Sequence, residues 1–126
     1  MKKVTVIGSG SWGTALAVML AENGHEVLIW SRRQDAVDEL LIDRKNERYL
    51  PGITIPETIQ ATTDREAAVK DAEIIILAVP SRAVAETVRD FSPYLKTWQI
   101  LVNVAKGLEP GTLLCLSDVI QREAPQ

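Results

Sequence analysis

The sequence predicts an α/β fold: an open, doubly wound parallel sheet of five strands in the order 3-2-1-4-5, with helices on both faces. Three observations carry that expectation. Short β-rich apolar runs alternate with helical patterns along the whole chain, which is the pattern of successive βαβ units. The strongest run, Glu73-Ile74-Ile75-Ile76-Leu77-Ala78-Val79, is apolar on both faces, as an interior parallel strand is. A glycine-rich turn after the first strand, together with right-handed crossovers, favours that strand order.

The first strand spans about Val4 to Ile7. A helix runs from about Trp12 to Glu22, with Ala15, Leu16, Met19 and Leu20 on one face, and Asn23-Gly24 stops it because glycine accepts the left-handed conformation past a helix end. Val27 to Trp30 form the second strand, and Val37, Leu40 and Leu41 mark a short amphipathic helix. From Asn46 to Pro56, two prolines and a glycine break the pattern and predict a long surface loop. Ile59 to Thr62 form the third strand, and Asp64 caps a helix reaching about Lys70. After the fourth strand, Glu73 to Val79, Pro80-Ser81 turns the chain, Val84, Val88 and Phe91 stripe a helix, and Ser92-Pro93 ends it. Ile100 to Val104 form the fifth strand. Lys106 to Gly111 turn, and a last helix with Leu113, Leu116 and Ile120 inward runs to Gln126.

Composition narrows the function. A chain of 126 residues, 46% hydrophobic and 25% charged, is that of one ordinary globular domain. The net charge of −3 and the lack of a basic stripe exclude a bulk nucleic-acid partner. No apolar run approaches the roughly 18 residues of a membrane span, and Met1-Lys2-Lys3 leads straight into a β run rather than a signal peptide. The single cysteine, Cys115, lies among leucines, is expected in the core, and leaves a reducing, cytoplasmic location as the default. One His and one Cys give no metal-site spacing. His25 precedes the second strand, away from the ligand edge, and reads as structural; Glu66, Asp71 and Glu73 read as a solvated face. No Ser/His/Asp or Cys/His set suggests a nucleophilic hydrolase.

The informative stretch is Gly8-Ser9-Gly10-Ser11-Trp12-Gly13, a G-x-G-x-x-G turn between a strand and a helix, with another strand within about 30 residues. Gly8 permits the tight turn, Gly10 lets a pyrophosphate approach the backbone, and Gly13 permits close helix–sheet packing. Free N–H groups and the helix dipole there favour an anion by up to about 2 kcal/mol. Ser11 either donates a hydroxyl to the same phosphate or caps the helix. Trp12 either covers the phosphates, orients a partner domain, or packs on the sheet edge. These features predict a Rossmann-type dinucleotide-binding domain, the plain alternative being a tight turn with no ligand; its ligand edge collects the loops Gly8 to Gly13, Val79 to Arg82 and Ala105 to Gly107.

An acid that holds the ribose 2′-hydroxyl is expected about 20 residues after the motif. The sequence has Trp30-Ser31-Arg32-Arg33 there, and the first acid, Asp35, falls in the following helix. Arginines grip a 2′-phosphate bidentately, so Arg32 and Arg33 point to NADPH, with NADH as the second choice; the plain alternative is two solvated arginines. Lys106, after the fifth strand, either binds an anionic substrate or the cofactor at the nicotinamide end, or is a solvated loop lysine.

"GSGSWGTALA", "RYLPGI", "AVPS" and "NVAKGLEPGT" together resemble bacterial NAD(P)-dependent glycerol-3-phosphate dehydrogenase, over nearly all 126 residues. The resemblance implies interconversion of dihydroxyacetone phosphate and sn-glycerol 3-phosphate, a precursor of membrane phospholipids. It implies that Ser11 and Trp12 contact the cofactor, that Arg32 and Arg33 lie at the adenosine 2′ position, that Tyr49 lies in the loop lining the cofactor side, and that Lys106 reaches both cofactor and substrate. The family's catalytic lysine and most of its phosphate site belong to a second, helical domain. No position here matches that lysine, so no catalytic residue is assigned. The chain is accordingly expected to be the N-terminal cofactor-binding part of such an enzyme, 1–126, with a sheet edge and apolar face suited to self-association, a homodimer included. The rivals are a reductase of ketopantoate or a β-hydroxy acid, against which "KGLEPGT" speaks, and a stand-alone dinucleotide-sensing module.

Overall fold

A computed structural model describes residues 2–46 and 52–103, apart from the side chains of Ser11, Trp12, Ser81 and Asn103. Strands β1 (Lys3–Ile7), β2 (Glu26–Trp30), β3 (Gln60–Thr62), β4 (Ile74–Leu77) and β5 (Ile100–Asn103) form one sheet in the order β3-β2-β1-β4-β5. All pairs are parallel; Val4 lies opposite Val27 and Ile74, and Ile7 opposite Trp30 and Leu77. The chain crosses from one side of β1 to the other between β3 and β4. That reversal opens a crevice at the carboxyl end of β1. The expected sheet and strand order are both present. Val104, the following turn and the last helix of the sequence reading lie outside the described residues.

Strand alternation sorts the apolar residues onto two faces. Val4, Val6, Val27 and Ile29 pack with Ala17 of α1 (Ser11–Glu22) and with Leu40, Ile55 and Ile59. Ile7, Trp30, Ile75 and Leu77 pack with Ala68 and Val69 of α3 (Arg65–Val69) and with Val84, Val88 and Phe91 of α4 (Val84–Phe91). Thr5 is buried on the second face, where its hydroxyl donates to the Ala68 carbonyl and so leaves no unsatisfied oxygen. α1 ends as its sequence directs: Gly24 takes φ +89°, and the Asn23 side-chain amide donates to the Met19 carbonyl at 2.9 Å. Asp64 caps α3 by accepting the Ala67 N–H at 3.2 Å. His25 accepts the Lys2 N–H at 3.1 Å, joining β1 and β2 at the end far from the crevice.

Two segments depart from the sequence reading. The amphipathic helix at 37–41 is α2 (Gln34–Asp38) running into a π-helical turn, Glu39–Asp43, which ends at Arg44 with φ 54°. The wider turn carries Leu41 off the buried face shared by Val37 and Leu40. The loop from Asn46 to Pro56 is not wholly on the surface either: Asn46 and Ile55 are buried. Prolines and glycine break regular structure, but they do not prevent burial when the backbone finds partners. Here the Ile55 N–H donates to the Arg44 carbonyl at 2.7 Å, and the Arg44 guanidinium donates to the carbonyls of Pro56 and Ile59 at 3.1 and 2.8 Å.

Candidate functional site

The turn after β1 is wedged between its two neighbouring strands. The Gly8 N–H donates to the Trp30 carbonyl at 2.8 Å, and the Ala78 N–H donates to the Ile7 carbonyl at 2.9 Å. Gly8 has φ +119°, and a Cβ there would stand 2.6 Å from the Ala78 carbonyl oxygen. A Cβ at Gly13 would stand 2.4 Å from the Gly8 carbonyl oxygen. Both glycines are therefore required by the protein's own packing.

Gly10 is different. Its φ of −70° and ψ of −176° suit any residue, and a Cβ there would meet nothing within 4 Å. It is the N-cap of α1, no side-chain cap hydrogen bond forms among the described residues, and no acid sits in the first turn. Nothing in the fold asks for a bare backbone at this point. The bareness fits an anionic ligand lying against the first amides of α1, as a dinucleotide pyrophosphate does.

Three polar residues brace the turn, and the sequence reading assigned a role to none of them. Thr14 and Asn46 are buried, and Asn46 Nδ2 donates to the Ser9 carbonyl at 2.7 Å and to Thr14 Oγ1 at 2.9 Å. Thr14 Oγ1 donates to the same Ser9 carbonyl at 3.1 Å. On the other side, Ser9 Oγ donates to Ser31 Oγ at 3.2 Å, and that oxygen also accepts the Arg33 N–H at 3.3 Å. Ser31 thus ties the glycine turn to the segment after β2. A hydroxyl inside the apolar run of α1 is a weak local signal for Thr14; no local signal marks Asn46.

Beyond β2, Arg32 and Arg33 are both exposed. Arg33 is held by Asp35 in a two-point ion pair, Nε to Oδ1 at 3.1 Å and Nη2 to Oδ2. Hydrogen bonding from the Arg33 guanidinium, with its positive charge, keeps the Asp35 carboxyl below its usual range. The first acid after the motif is therefore the counter-ion of one of the two arginines. The end of β2 itself is anchored by Trp30, whose Nε1 donates to the Thr63 carbonyl at 3.0 Å and whose ring meets Phe91 edge-on at 5.0 Å.

Gly8, Gly10, Gly13 and the segment carrying Arg32 and Arg33 thus gather around the carboxyl ends of β1 and β2. Ser11 and Trp12 open α1, with side chains outside the description; Tyr49 and Lys106 lie outside the described residues altogether. A groove of about 370 Å3 beside α3, lined by Thr5, Leu28, Gln60, Ala68 and Asp71 among others, contains no residue of the glycine turn. Among the described residues, no three His, Cys, Asp or Glu side chains are grouped to hold a metal ion, and no helix is long and apolar enough to cross a membrane.

A family model described as "NAD-dependent glycerol-3-phosphate dehydrogenase N-terminus" matches residues 3–126. A glycerol-3-phosphate dehydrogenase (NAD(P)+) of Bacillus thuringiensis is 45% identical over all 126 residues, and the chain spans 37% of that relative's length. The crystal structure of glycerol-3-phosphate dehydrogenase from Coxiella burnetii matches with a TM-score of 0.92 at 36% identity, over 99% of this chain and 38% of that one. The enzyme of the same name from Saccharomyces cerevisiae matches with a TM-score of 0.87 at 29% identity, over 98% of this chain and 39% of that one.

Proposed function

Because the chain belongs to the NAD-dependent glycerol-3-phosphate dehydrogenase family, we propose that residues 1–126 form the dinucleotide-binding domain of an NAD(P)-dependent oxidoreductase interconverting dihydroxyacetone phosphate and sn-glycerol 3-phosphate. The observation that carries this reading is Gly10, bare where the fold needs no glycine, at the start of α1. The bound nicotinamide supplies a hydride, and the protein supplies position and charge. Gly10 and the first amides of α1 take the pyrophosphate, with Ser11 and Trp12 beside it and Tyr49 on the cofactor side. Arg32 and Arg33 favour NADPH over NADH. Lys106 holds the anionic end of the phosphorylated ketone. The general acid belongs to a second, helical domain, and the product feeds phospholipid synthesis in the cytoplasm.

Fluorescence titration of the purified protein with NADPH and NADH tests the reading, followed by NADPH absorbance after adding dihydroxyacetone phosphate. Dinucleotide binding without oxidation by these 126 residues is the expected result. Absence of binding overturns the reading, and oxidation at an enzymatic rate would place the proton donor within the chain. In the complete enzyme, Lys106→Ala is expected to raise KM for the ketone and lower kcat, since a placed charge is lost in ground and transition states alike. Steady-state kinetics equal to those of the parent enzyme would make Lys106 a solvated loop residue.

Asp35 gives a prediction of opposite sign. A 2′-phosphate must compete with the Asp35 carboxylate for Arg33, so Asp35→Asn is expected to tighten NADPH about 2- to 5-fold, the range of an exposed ion pair, and to leave NADH unchanged. The depressed folded value of Asp35 means that its pair with Arg33 is complete above the usual carboxylate range and is lost only as pH falls through the lowered value. A 2′-phosphate dianion takes up a proton near pH 6. Between those limits Asp35 keeps its charge while the ligand loses one, and the advantage of NADPH over NADH should shrink as pH falls below about 6. Calorimetric titrations at several pH values check both statements.

A further inference from the structure

The geometry points to Asn46 as the residue that aims the glycine turn: it holds the Ser9 carbonyl inward and thereby turns the Gly10 N–H outward toward the anion. This rests on the dinucleotide reading of the turn. In a trans peptide the C=O of one residue and the N–H of the next point in opposite directions, and no cis peptide occurs among the described residues. The Ser9 carbonyl faces into the protein, where Asn46 Nδ2 at 2.7 Å and Thr14 Oγ1 at 3.1 Å both donate to it. The N–H on the opposite edge of that plane, that of Gly10, is directed away from them.

The clamp uses its donors fully. The two hydrogens of the Asn46 amide go to the Ser9 carbonyl and to Thr14 Oγ1, and the Thr14 hydroxyl spends its own hydrogen on the Ser9 carbonyl. The reversed amide would set Asn46 Oδ1 against a carbonyl oxygen, so the donor orientation is the one chemistry allows. Asn46 is 5% exposed and Thr14 wholly buried, so water is a poor substitute for either. Glycine at position 10 makes rotation of the Ser9–Gly10 peptide plane inexpensive on its own side. Without the clamp, that plane can rotate and present a carbonyl oxygen to the pyrophosphate in place of a donor.

Asn46 reaches this position from 37 residues away through an unusual path. The π-turn Glu39–Asp43 and the left-handed Arg44 reverse the chain, and the bonds from Arg44 to Pro56 and Ile59 lock the reversal. A strained φ at a non-glycine residue persists only where surrounding contacts hold it. Its consequence here is to deliver one amide to one carbonyl.

Asn46→Asp and Thr14→Val in the purified protein test the inference by fluorescence titration of NADPH and NADH. The aspartate preserves the size of Asn46, sets an acceptor oxygen in place of the donor, and adds negative charge behind the turn; Thr14→Val removes a donor without adding charge. It is expected to weaken both dinucleotides equally, by about 10-fold or more, and Thr14→Val to weaken both about 3- to 10-fold, the range of a lost buried hydrogen bond. The loss in Asn46→Asp should persist when urea titration shows the variant fully folded, and the Gly10 amide 15N–1H resonance should shift in both variants without ligand. If Asn46→Asp does not fold, Thr14→Val decides alone. Parent protein that binds neither dinucleotide removes the site reading itself. Where the parent binds, the role of Asn46 is overturned by parental affinity in folded Asn46→Asp, by unchanged binding in Thr14→Val, or by a loss confined to NADPH.

Discussion

Gly10→Ala is expected to leave the protein folded and to raise the Kd for both NADPH and NADH by about 100-fold, roughly 2.7 kcal/mol. The added Cβ meets nothing within 4 Å and the backbone there is relaxed, so unfolding midpoints in urea should move little. The methyl group occupies the space in which the pyrophosphate would approach the amides. Gly8→Ala and Gly13→Ala should behave in the opposite way. At Gly8 a left-handed φ and a contact of 2.6 Å act together, and at Gly13 the contact is 2.4 Å. Gly8→Ala should cost on the order of 2–6 kcal/mol, the sum of backbone strain and overpacking, and Gly13→Ala on the order of 1–3 kcal/mol from overpacking alone, a large part of the roughly 5–15 kcal/mol that stabilises a typical domain. Urea denaturation beside cofactor titration separates the two classes. If Gly10→Ala binds dinucleotides as well as the parent protein, the turn carries no pyrophosphate.

Replacing Arg32 and Arg33 together by alanine is expected to weaken NADPH by on the order of 10- to 100-fold, from charge-assisted bonds of about 1.5–3 kcal/mol, and to change NADH little. The contributions should be unequal. Arg33 starts in an ion pair with Asp35 and gives that up to bind a phosphate, so Arg33→Ala alone should lose less than Arg32→Ala alone by the cost of that exchange. Placing Arg33→Ala on the Asp35→Asn background removes the exchange and exposes the full contribution of Arg33. Equal losses for the two cofactors in calorimetry would assign the arginines to some role other than reading a 2′-phosphate.

The glycine turn was legible in the sequence because its parts lie within six residues and their spacing is set by local geometry: strand, turn, helix. Strand order was legible because the alternation of elements and right-handed crossovers leave few arrangements. What escaped was non-local. Asn46 touches Ser9 and Thr14 across 37 and 32 residues, and nothing near it in the chain distinguishes it from a loop asparagine. Ile55, one residue before a proline, reads as loop but fills the core beside Val4 and Val27. Asp35 was visible as an acid two positions after Arg33, yet its effect on cofactor choice depends on the backbone at the start of α2, which brings the two side chains together.

The contact between Gly8 and Ala78 also orders events during synthesis. β1 pairs with β4 across most of the described chain, Val4 beside Ile74. At about 5–20 residues per second, the ribosome releases the first strand several seconds before the strand that completes its far side. Throughout that interval the turn has one wall, from Trp30, and lacks the other. A newly made chain is therefore expected to gain dinucleotide affinity only after the strand leading into Ala78 has emerged and paired with β1.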